Sequence, residues 1–145
     1  MIGLLQRVRE AEVICDGQSI ATIGRGLLVF VAVHRDDVRT DAVRLTERIV
    51  SYRVFPDNSG RMNRSLLDTG LELLLVPQFT LAADTKRGTR ASFTPAAAPE
   101  MGERLFNELA DACQQALGAV CRGQFGANMQ VRLVNDGPVT FWLES

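Results

Sequence analysis

The feature that most limits the fold is an uninterrupted apolar run at residues 27–33, Leu27-Leu28-Val29-Phe30-Val31-Ala32-Val33, set behind Gly24 and Gly26. A short run rich in β-branched residues and bounded by glycine reads as a strand of the buried type. It is far below the roughly 20 residues needed to span a bilayer. Such a strand needs a core around it, and 145 residues, 46% of them hydrophobic and 23% charged, suit one globular domain over residues 1–145. The formal net charge of -1 provides no general attraction to polyphosphate, so contact with nucleic acid requires a local basic patch. Cys15, Cys113 and Cys121 are too few and too scattered for a disulfide framework or a CxxC knuckle. With no secretory-leader pattern at the start, the expected protein is soluble and cytoplasmic, without a membrane partner.

Around that run the pattern predicts strands at residues 2–8, at 11–15 and near Ile20, with a turn at Asp16-Gly17. Val38, Ala42, Leu45, Ile49 and Tyr52 recur at helical steps, with Asp36 or Asp37 available as a cap. Residues 53–70 read as loop and short turns, followed by a strand at 72–76. A long polar stretch, 82–99, holds Lys86, Arg87 and Arg90, the best local basic patch, and reads as a functional surface loop. Pro99 suits a helix start, and Met101, Leu105, Leu109, Ala112, Ala116 and Leu117 form an apolar face ending at Gly118. Further strands are expected at 119–122, 129–134 and 139–143, the last two separated by an Asp136-Gly137-Pro138 turn.

The usual hydrolase apparatus is missing. His34 is the only histidine, and no GxSxG elbow exists to build a triad with it, so it is assigned a structural or surface role. Paired His or clustered His and Cys ligands are lacking too, so neither metal nor cofactor is expected. An enzyme of this composition would work through backbone groups and groups of its substrate. Two segments offer such groups. In Pro77-Gln78-Phe79-Thr80-Leu81 a strand ends against proline, which is either an ordinary edge-strand turn or a place where N–H groups face a ligand. Asn135-Asp136-Gly137-Pro138-Val139-Thr140 reads as a hairpin through Asp-Gly. Alternatively, a cis Gly-Pro bond turns two carbonyls to one side as an acceptor pair for an ammonium group.

Together these segments resemble the bacterial D-aminoacyl-tRNA deacylase family, whose usual motifs read Ser-Gln-Phe-Thr-Leu and Asn-x-Gly-Pro-Val-Thr. Leu5-Gln6-Arg7-Val8, Phe55-Pro56-Asp57, Gly60-Arg61-Met62-Asn63, Thr85-Lys86-Arg87-Gly88-Thr89-Arg90 and Gly123-Gln124-Phe125-Gly126-Ala127-Asn128-Met129 also look like family segments in family order. The resemblance implies an α/β fold of curved, largely antiparallel mixed sheets, barrel-like, with two long helices in a single domain. It implies hydrolysis of the ester joining a D-amino acid, or mischarged glycine, to the terminal ribose of tRNA. The ribose 2′-hydroxyl would help water, and the amides of Phe79 and Thr80 would stabilise the oxyanion. Gln78 would shape that site, with the Thr80 hydroxyl a less favoured participant.

The resemblance further implies a homodimer, with its interface near the C-terminal strands, in which Gly137 and Pro138 of one subunit enter the other's site, hold the ammonium and exclude L side chains. Asn135 is grouped with these substrate-binding residues. Phe125 and Met129 would wall the pocket near the terminal adenosine, and Lys86, Arg87 and Arg90 would contact tRNA phosphates. Pro77 departs from the bacterial motif's serine and by itself leans toward an animal type of relaxed chirality, but Phe79, Asn135 and Val139 do not, so strict D selectivity is the expectation. The alternative reading is a non-catalytic nucleic-acid-binding module on the same fold, which could dispense with Phe79, Thr80 and the Gly137-Pro138 pair.

Overall fold

The computed structural model describes residues Met1–Ser145. The apolar run forms β3 (Gly26–Ala32), which lies between β1 (Ile2–Cys15), antiparallel to it, and β6 (Glu72–Pro77), parallel to it. Both faces of β3 are covered. Leu27 and Val29 point toward α1 (Arg39–Ser51) and α3 (Pro99–Leu117), where they join Leu45, Ile49, Leu105 and Leu109. Leu28 points the other way, into a hollow filled by Val8, Val13, Ile23, Leu74 and Val76. The absence of alternation in the sequence is therefore the mark of a strand with a core on each side. Each large aliphatic side chain closed off here contributes roughly 1.5–3 kcal/mol. Gly26 allows β3 and β6 to start side by side: a Cβ there would sit 1.9 Å from the Glu72 carbonyl oxygen.

The sheet curls because β1 is one long strand rather than the two expected. Its first half pairs with β3 and its second with β2 (Gln18–Ile23), through a turn in which Asp16 and Gly17 both have positive φ. Along its other edge runs β8 (Met129–Glu144), antiparallel over the whole length. At the far end β7 (Cys121–Arg122), a stub of the strand expected at 119–122, pairs parallel with β6. The Cys121 thiol donates to the Thr22 carbonyl of β2 at 3.6 Å, bringing the two ends of the sheet nearly together as a barrel. The outcome is the expected α/β class.

Three local differences have clear causes. Neither Asp36 nor Asp37 caps α1. The Asp41 carboxylate takes the Val38 N–H instead, which holds Asp41 below the usual carboxylate range, while Asp37 is buried against the Met1 ammonium and the His34 N–H. The stretch expected as loop at 53–70 contains β4 (Phe55–Pro56), β5 (Met62–Arg64) and α2 (Leu66–Thr69), each too short to show a period. Asp57 ties the β4–β5 turn by accepting from Ser59, Arg61 and Asn63, and the Ser59 hydroxyl leads in lowering its pKa to about 2. Finally, 136–138 is no hairpin, since β8 continues through it in one direction. No helix is long and apolar enough to cross a membrane.

Candidate active site

Strand β6 ends at Pro77, which has no N–H to continue a ladder. The chain is then redirected by the Gln78 N–H, which donates to the Val31 carbonyl at 2.7 Å, and enters a 3-10 turn, Phe79–Ala82. The first bond of that turn runs from the Leu81 N–H to the Gln78 carbonyl, so the N–H groups of Phe79 and Thr80 precede the ladder and have no acceptor within it. Both residues are exposed. The Gln78 side-chain amide donates to the Thr80 hydroxyl, which fixes both side chains beside the open amides.

These groups stand at the edge of a cleft of about 440 Å³ with apolar walls from Val76, Pro77, Phe79, Phe125, Met129 and Val131. Phe125 reaches it from the link between β7 and β8, and Met129 from the first position of β8; the link is held by the Gly123 N–H on the Leu75 carbonyl and by the Gln124 N–H on the Met129 sulfur at 3.3 Å. Four expected residues, Gln78, Phe79, Phe125 and Met129, thus share one cleft, with Thr80 next in the chain. His34 lies elsewhere, in a polar recess of about 350 Å³ with Arg35, Asp36 and Asp37.

Asn135, Gly137 and Pro138 do not line this cleft. Gln6 faces Thr140 and Val8 faces Asn135, so a single β1 residue, Arg7, spans four β8 residues, 136–139. The surplus backbone is pushed out of the sheet, with Gly137 and Pro138 exposed and joined by a cis bond. Asn135 braces the base of this projection: its carbonyl oxygen accepts from the Val139 N–H and its amide donates to the Thr140 hydroxyl, both at 2.9 Å.

Arg7 braces the other side, a role not foreseen from the sequence. Its Nε donates to the Asp136 carbonyl at 2.9 Å and its guanidinium to the Val54 carbonyl at 2.6 Å. The available signal was a cation in the helix-facing register of Leu5, where a charge needs partners. Arg7→Met leaves the carbonyl of fully buried Val54 without its donor. The expected loss is about 1.5–3 kcal/mol, the usual worth of a bond to a charged group; an unchanged urea midpoint would contradict it.

Lys86, Arg87 and Arg90 lie apart from the cleft walls, on an exposed loop closed by paired backbone bonds between Asp84 and Ser92. The loop's returning segment brings Phe93 against Phe79, with ring centroids 5.1 Å apart.

The curled α/β barrel thus carries an apolar cleft lined by Gln78 and Phe79, at a strand end where the Phe79 and Thr80 N–H groups have no acceptor in the turn that follows. Residues 4–144 match the family model D-Tyr-tRNA(Tyr) deacylase. A D-aminoacyl-tRNA deacylase of Alkalilimnicola ehrlichii is 61% identical, covering 100% of this chain and 97% of its own. One from Vibrio cholerae is 53% identical over the full length of both. Among solved structures, one called c-Myc DNA Unwinding Element Binding Protein superposes with a TM-score of 0.95 at 35% identity, covering 100% of this chain and 99% of that one. Another, described as a probable eukaryotic D-amino acid tRNA deacylase, has a TM-score of 0.87 over 99% and 98% of the two chains, and at 17% identity its likeness is one of fold. The chain belongs to the D-Tyr-tRNA(Tyr) deacylase family and is a hydrolase.

Proposed function

We infer that this chain hydrolyses the ester between a D-amino acid and the terminal ribose of tRNA, and that its main chain, rather than a side-chain nucleophile, carries the chemistry. The observation behind this reading is the pair of unengaged N–H groups at Phe79 and Thr80 beside an apolar cleft. Water attacks the ester carbonyl, with the ribose 2′-hydroxyl assisting. The carbonyl oxygen becomes an oxyanion held by the two N–H groups, and its collapse breaks the bond to the ribose 3′ oxygen, which takes up a proton. Phe125 and Met129 pack the terminal adenosine, while Lys86, Arg87 and Arg90 contact phosphates.

Selectivity for D substrates comes from Gly137 and Pro138 of a second copy of the chain, whose carbonyls take the ammonium and leave no room for an L side chain. Glycine passes because it has no side chain to exclude. In favour of this arrangement, the projection is exposed and is not part of its own chain's cleft, and β8 pairs with β1 alone, leaving an edge free. Pro77 lies in the cleft wall, so the strictness of selection is measured directly by paired D- and L-tyrosyl-tRNA substrates. The D ester is expected to be cleaved at least 100-fold faster, a difference of about 2.7 kcal/mol in barrier.

Similarity to a protein named for binding a DNA unwinding element supports a second reading, nucleic-acid binding without catalysis. Intact D-tyrosyl-tRNA and glycyl-tRNA after incubation with the pure protein would favour it.

A further inference from the structure

We propose that Phe93 and the basic loop before it form a stacking platform for a nucleobase of the single-stranded RNA segment just upstream of the terminal adenosine. This rests on the deacylase reading for the identity of the RNA, but not for the binding itself. Phe93 is 45% exposed and Phe79 is 57% exposed, with their rings inclined at 52°. Phe79 belongs to the cleft wall and Phe93 does not, so the pair carries an aromatic surface from the cleft out onto the protein's exterior. An isolated exposed aromatic residue is ordinary. Here two adjoin each other at the mouth of a site, and a cationic loop leads away from them.

That loop has the chemistry of a backbone holder. Lys86, Arg87 and Arg90 are exposed, and none belongs to the chain's ion pairs. The one carboxylate on the loop, Asp84, accepts the Lys86 backbone N–H. The Asp84–Ser92 pairing holds the two ends of the loop together and delivers the cations and Phe93 from one base. Hydroxyls of Ser92 and Thr94, 3.0 Å apart, flank the ring and offer polar contacts to a ribose or phosphate. Aromatic faces beside free cations bind unpaired strands with little regard to sequence, because every base has a π-face and every nucleotide a phosphate. A duplex would present stacked bases whose faces are closed to Phe93. Unpaired RNA is therefore the occupant that both features fit.

The test uses a fluorescent RNA ending in an unpaired CCA and the same RNA annealed to its full complement, with binding followed by anisotropy. Phe93→Leu, which retains an apolar contact for Phe79, is expected to weaken binding of the single strand about 10-fold. It should leave duplex binding unchanged and raise KM for D-tyrosyl-tRNA by a similar factor at constant kcat. Phe93→Tyr should bind the single strand as the parent does. Raising the salt should weaken the single-strand complex, with a shallower slope in Lys86→Ala. Equal weakening of single strand and duplex, no weakening at all, or a fall in kcat instead of a rise in KM would each overturn the proposal. Because the RNA carries no ester, a protein without deacylase activity still yields a binding result, so the two readings fail separately.

Discussion

Gly137→Ala is expected to cut kcat/KM on D-tyrosyl-tRNA about 100-fold or more while the protein stays folded, as judged by circular dichroism. Gly137 has a φ of +144°, a conformation open essentially to glycine alone. A Cβ there would meet Val139 Cγ2 at 2.6 Å and the Val139 backbone nitrogen at 2.8 Å. Because one of these atoms is main chain, no rotamer change relieves the clash and the backbone must move. The move is confined by its surroundings: Asn135 and Arg7 brace the base of the projection, while Gly137 and Pro138 are exposed. The tip shifts and the sheet holds. If the tip meets substrate in a second subunit, an error of about 1 Å is enough to cost about 100-fold. Wild-type turnover in Gly137→Ala would remove the projection from the mechanism.

Replacing the Thr80 amide by an ester, through incorporation of the corresponding hydroxy acid, is expected to lower kcat about 100- to 1,000-fold with KM little changed. This is the usual effect of removing one donor from an oxyanion site. The substitution deletes the N–H and keeps the side chain, including the hydroxyl that accepts from Gln78. Because that N–H precedes the first bond of the 3-10 turn, its loss breaks no helical ladder. Thr80→Val makes the complementary change and is expected to retain kcat within about three-fold, below the 1.36 kcal/mol that corresponds to ten-fold. A large loss in Thr80→Val with a small one in the ester variant would transfer the chemistry to the hydroxyl.

Much of this site could be anticipated because its residues sit in short, chemically distinctive strings. Pro77 marks the end of β6 by lacking a donor, which is a property of the residue itself, while the open amides arise from the 3-10 turn that starts at Phe79. The segment 135–140 was harder. Asp-Gly is a strong local turn signal, yet here it lies within one continuous strand, because pairing with β1 on either side outweighs the preference of two residues. Arg7 escaped notice for the same reason: its partners, the carbonyls of Val54 and Asp136, are distant in the chain and backbone carbonyls carry no sequence signature. Asp37 looked like a helix cap by position, but a buried ammonium and the His34 N–H held its carboxylate instead.

Local order was determined by the chain alone: the doubly buried strand from its unbroken apolar run, α3 from Pro99 and Gly118 at its ends, and α1 from apolar steps of three and four. Periodicity and capping act within a few residues, so one sequence suffices to read them. Tertiary structure decided which residues meet. The cleft joins residues near 77 to residues near 127 because β6 and β8 enclose the same hollow, and the projection at Gly137 exists because one residue of β1 spans four of β8. Strand register is a contest among whole pairings over both buried faces, and no short segment contains its terms.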